Sequence, residues 1–204
     1  MRPSARSGDP KIRGMRDFDP VRLGGYEADA WVTYYQRRWG AFLRAVTGMV
    51  KVGFAMPWPR TILAAWLVLR ANQLWAPYPD NDADGARAAM VRFYRLVKAT
   101  HHEAWDVDEA ARLEVEWWRV HRYLQRESPD GSIEPLVEAL AGHAAYVYGV
   151  PVETVREAAR RRAEAMVISD RWVADGCDPA SPDIGAERTL LIRGYTALRG
   201  AVSR

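Results

Sequence analysis

Apolar positions along this chain recur at steps of three, four or five residues, and no stretch alternates apolar with polar between hairpin turns. That period is helical, because residues so spaced share one face of a 3.6-residue helix. The first run covers residues 27–55, where Trp31, Tyr35, Trp39, Phe42, Val46, Met49 and Phe54 form one stripe; the Met-Pro-Trp-Pro at 56–59 ends it. Residues 60–75 predict a second, most apolar helix. A third runs from about Asp84 to His101 on a stripe of Ala86, Ala89, Met90, Phe93, Leu96, Val97 and Thr100. The fourth runs from about Asp106 to Glu127, with Asp106 and Glu109 spaced as a capping box. A fifth spans about 134–148, with Pro135 in its first turn and Gly149 at its end. A sixth runs from Pro151 to about Ala174, and Ser181 or Asp183 caps a seventh that reaches about Val202. The expectation is an all-α, bundle-like single compact domain of about seven helices over residues 26–204.

Polar residues inside these apolar stripes are the main departure from the pattern. Glu114 and His121 stand seven residues apart, nearly two turns, within the arc of Ala110, Leu113, Trp117, Val120 and Leu124. His143 lies between Leu140 and Val147, and Asp170 shares a face with Met166 and Val173. His101 follows Val97 by one turn, and Arg162 lies between Val155 or Ala159 and Met166. A carboxylate or imidazole on an apolar face must be neutralised, paired or metal-bound, since an isolated buried charge is too costly.

Imidazoles and carboxylates that converge from several helices are how helical proteins build metal sites. Two or three His with one carboxylate suit non-haem iron or another divalent transition metal. Glu114, His121, His143, Asp170 and His101 are the candidate ligands, with Glu114 and His121 as candidate catalytic acid and base. Trp117, Trp118 and Arg162 are the candidate substrate-binding residues. The expected chemistry is metal-assisted oxidation of a small organic substrate in a Trp-lined pocket between helices. The alternative is a non-catalytic helical protein that binds a ligand or partner while Glu, His and Asp merely pair in the core. No Glu-x-x-His or His-Glu-x-x-His motif, nucleophile elbow or glycine-rich phosphate loop accompanies these residues.

Composition narrows the classes. The 204 residues are 49% hydrophobic, enough for a substantial core. A lone Cys177 excludes an internal disulfide framework and a Cys-rich zinc site, and fits a cytoplasmic location. The net charge of +3 falls on residues 1–25, with six basic and three acidic groups, and reads as a flexible basic arm. The other basic and acidic residues cancel, so nucleic-acid binding is not expected. The apolar run 61–69 is too short to span a membrane. The segment Asp80-Asn81-Asp82-Ala83-Asp84-Gly85 begins like a calcium loop but has Val91 where the bidentate Glu belongs. Calcium is therefore not expected, and the aspartates read as an Asx turn and helix cap. Nine Trp and nine Tyr, with polar handles on apolar bodies, suit a small-molecule ligand or a homodimer contact.

Overall fold

The computed structural model describes residues 14–203, and those residues contain eight α-helices and no strand. They are α1 (Pro20–Tyr35), α2 (Trp39–Phe54), α3 (Trp58–Trp75), α4 (Ala83–His101), α5 (Val107–Glu127), α6 (Glu134–Tyr148), α7 (Val152–Ala174) and α8 (Pro182–Val202). The single helix expected over 27–55 is two. Its apolar stripe runs in phase across Gln36-Arg37-Arg38, so periodicity alone does not register the break. Arg37 takes a left-handed conformation (φ 53°) with neither glycine nor proline to announce it.

Local chemistry sets the other boundaries close to where the sequence places them. Asp19, Asp82, Asp106 and Ser181 each accept hydrogen bonds from backbone N–H groups of the first turn of α1, α4, α5 and α8. Asp82 takes the Gly85 N–H at 2.8 Å, so the aspartate-rich loop caps α4. Gly149, at φ 64°, closes α6.

Residues 14–25 correct the expectation of an arm that ends at residue 25. Met15, Phe18 and Leu23 are core residues, Pro20 opens α1, and Arg16 pairs with Glu103 at 2.8 Å. Residues 1–13 of the expected arm lie outside the described residues.

Each helix packs on the next, and α8 returns to α1, so the eight close on themselves. Two glycines let α8 approach its neighbours. A Cβ on Gly24 of α1 would stand 2.8 Å from the Ile192 backbone nitrogen, and one on Gly194 would stand 3.2 Å from the Ala158 carbonyl of α7. Among the described residues, no helix is long and apolar enough to cross a membrane.

Candidate functional site

The closed arrangement leaves a central cavity of about 200 Å³ to which all eight helices contribute. Leu23, Phe42, Val46, Val68, Met90, Phe93, Leu140 and Leu198 make most of the wall apolar. Two groups of polar side chains interrupt it.

The first group is centred on Glu114 of α5. Tyr94 of α4 donates its hydroxyl to Glu114 Oε2 at 2.8 Å, and the Trp118 indole N–H reaches Glu114 Oε1 at 3.1 Å. His143 of α6 brings Nε2 to 3.0 Å from Glu114 Oε2 and 2.7 Å from the Tyr94 hydroxyl. The three groups form a triangle in which the carboxylate accepts throughout. Burial pushes His143 below its ordinary value against the opposing pull of Glu114, so the imidazole is held neutral. Burial, then the Glu114 charge, drives the Tyr94 phenol well above its usual range.

The second group is an ion pair between α1 and α7. Arg162 Nε and Nη2 both donate to Glu27 Oε1, at 2.9 and 2.5 Å, and the guanidinium lies over the Trp117 ring at 4.7 Å. Burial disfavours the Arg162 charge, but Glu27, Tyr195 and Glu114 together outweigh it and raise its pKa. Glu27 Oε2 and Trp117 Nε1 are buried without a hydrogen-bond partner. Burial, then the Glu27 charge, drives the nearby Tyr195 phenol well above its usual range.

Trp31, Trp117 and Trp118, with Phe42 and Asn72, line both this cavity and a second one of about 210 Å³, so they form the partition between them. His121 belongs to the second cavity. Its Nε2 meets Asp170 Oδ2 at 3.0 Å, while Asp170 Oδ1 accepts from Gln125 at 2.5 Å and from Tyr35 at 3.4 Å. Arg122 lies beside them, 4.9 Å over the Trp75 ring and donating to the Trp75 carbonyl at 3.1 Å; its Nη1 has no partner.

The five expected ligands therefore divide. Glu114 meets His143, and His121 meets Asp170, on opposite sides of a tryptophan partition. His101 meets neither pair: its Nε2 donates to the Phe54 carbonyl at 2.6 Å and closes the end of α2. Among the described residues no three His, Cys, Asp or Glu gather as metal ligands would. Trp117, Trp118 and Arg162 do line the central cavity.

Sequence reasoning missed Glu27, Glu187, Tyr94 and Tyr195. A signal existed for two of them. Glu27 follows Leu23 and precedes Ala30 on one face of α1, and Glu187 precedes Leu191, Gly194 and Leu198 on one face of α8. Each is an acid in an apolar stripe, as Glu114 is. Glu187 is wholly buried beside Glu27, Ser169 and Asp170, and desolvation, then Glu27, pushes its carboxyl up to about 8.

No protein-family model, curated protein or solved structure matches this chain.

Proposed function

We propose that the chain binds a compact, largely apolar organic molecule with one polar head in the central cavity. The carrying observation is a cavity walled by all eight helices and mostly apolar, onto which Glu27, Arg162, Trp117, Glu114, Tyr94 and His143 bring polar groups, with Asn72, Tyr148 and Tyr195 also in the wall. Buried polar groups are nearly always bonded. Trp117 Nε1, a donor, and Glu27 Oε2, an acceptor, both belong to residues that contact Arg162 and therefore suit a polar head such as a hydroxyl, which both accepts and donates. An apolar cavity of roughly 150 Å³ holds benzene, so the space here fits a molecule of about one ring.

The Tyr94–Glu114–His143 triangle gives that site a means to hold or move a proton at the polar head. Neutral His143 is able to accept one, and Glu114 would stabilise the imidazolium formed. Metal-assisted oxidation is the second reading. It is favoured by the carboxylate and imidazole of Glu114 and His143, which, with the Tyr94 oxygen, face the cavity together. Non-haem iron or another divalent transition metal would be held there, with His121 and Asp170 as a separate pair.

The test titrates purified protein with phenol and benzyl alcohol, following tryptophan fluorescence, alongside metal analysis of protein expressed with added iron. Saturable binding that Ala144→Phe blocks by filling the cavity supports the proposal. Failure of both probes to bind or to raise the melting temperature sinks it. Absence of stoichiometric metal removes the second reading.

A further inference from the structure

The outer face of α3 exposes large apolar side chains in a row. Trp58, Ile62, Leu63 and Trp66 are 59, 60, 44 and 49% exposed. Positions 58, 62 and 66 fall on one stripe at four-residue spacing, with Leu63 beside them and Arg70 completing the row. Scattered exposed apolar residues need no explanation, but a contiguous row of this kind marks an interaction surface.

The charge around this row identifies what covers it. From Ala30 to Pro79 the chain has no Asp or Glu, yet it carries Arg37, Arg38, Arg44, Lys51, Arg60 and Arg70. That segment comprises the end of α1, all of α2 and all of α3, and α2 packs directly against α3. Five of the six cations are exposed, and the sixth, Lys51, lies 5.2 Å over the Trp58 ring. The rest of residues 26–204 holds 17 basic and 23 acidic groups, so a near-neutral body is in fact divided into a basic layer and an acidic remainder. Asp80, Asp82 and Asp84 lie beyond the end of α3 that carries Trp75.

We infer that this face docks on an anionic lipid surface. Tryptophan favours the headgroup level of a bilayer, and Arg and Lys extend their heads to lipid phosphates while their stems cover apolar surface. Arg60, between Trp58 and Ile62 in sequence, and Arg70, one turn past Trp66, stand about 15 Å apart along the helix, half a hydrocarbon core, so α3 lies in the plane of the interface and does not span it. A second copy is a poor occupant, since a two-fold contact sets the same acid-free face against itself.

The experiment is co-sedimentation of the full chain with vesicles of phosphatidylcholine alone and of phosphatidylcholine mixed with phosphatidylserine. Binding should require phosphatidylserine, weaken with salt and shift tryptophan emission to the blue. The triple variant Trp58→Ser, Ile62→Ser, Trp66→Ser should abolish it with an unchanged melt, because these side chains are exposed. Each cation near an anionic surface multiplies partitioning about fivefold, so Arg60→Glu with Arg70→Glu should cost at least about 25-fold. Three results overturn the inference: equal binding to neutral vesicles, binding that survives the triple variant, or no binding to the mixed vesicles. A dimer in light scattering that the triple variant dissociates would assign the face to a second copy instead.

Discussion

Glu187 offers the sharpest test of the electrostatics inside the helical ring. Its side chain is fully buried on α8, and neither carboxylate oxygen has a hydrogen bond of ordinary geometry, although the Ser169 hydroxyl is close enough to favour the charged form slightly. Desolvation, then the Glu27 charge, moves the carboxyl from 4.5 to about 8. A raised folded-state value means that the folded chain holds this proton after the unfolded chain has lost it. Glu187 therefore costs nothing below about pH 4.5, opposes folding progressively as pH rises, and exerts its full effect above about pH 8. At 1.36 kcal/mol per pH unit the opposition is about 1 kcal/mol at pH 5, about 3 at pH 7 and approaching 5 at pH 9.

Glu187→Gln removes the titration while it nearly preserves shape. The amide brings its own desolvation cost, but that cost does not vary with pH, so the slope and not the offset carries the information. Urea unfolding of wild type and variant at pH 5, 7 and 9 should give curves that diverge by about 4 kcal/mol across the range, the variant gaining on the wild type as pH rises. Parallel curves would refute the reasoning, because they would mean that Glu187 titrates alike in the folded and unfolded chain.

Other consequences follow from the same geometry. Glu114→Ala strips the acceptor from Tyr94, Trp118 and His143 at once, and urea titration should show a loss of about 3–5 kcal/mol. His143 sits below its ordinary 6.5, so its contribution is present above that value and is lost as pH falls below it; His143→Asn should flatten the loss of stability below about pH 6.5, and an unchanged acid slope would count against a neutral buried imidazole. Deleting residues 1–25 removes Met15, Phe18 and Leu23 from the core and should lower the melting temperature by many degrees, at roughly 2–5 kcal/mol per large core side chain, whereas deleting 1–13 takes none of these contacts. Gly24→Ala drives a Cβ onto the backbone of Ile192 and should cost about 1–3 kcal/mol, seen as a lower urea midpoint.

The helices were largely legible because caps and periodicity are local. Asp106, Pro135, Gly149 and Ser181 mark boundaries within a residue or two of where α5, α6 and α8 begin or end. The break between α1 and α2 was not legible, since Arg37 reverses the chain with a residue whose type carries no turn signal. Met15 and Phe18 were hidden for a compositional reason: two core residues set among charges, glycine and proline resemble the residues of a tail.

Site residues were legible as individuals and not as partners. A polar group in an apolar stripe announces that it needs a partner, and Glu114, His121, His143, Asp170 and Arg162 all have one. The stripe does not say which helix supplies it. Glu114 and His121 share a face of α5, yet seven residues separate them by about 10.5 Å along the axis, whereas the ligands of one metal ion lie about 2 Å from it. Over that distance the neighbours of α5 change. At Glu114 they are Tyr94 and His143, from α4 and α6. At His121 they are Asp170 of α7 and, through it, Tyr35 of α1. Trp117 and Trp118 fill the turn between and wall off the two environments. A shared helical face thus guarantees a shared direction toward the core, while the level along the axis decides which chemistry each side chain meets.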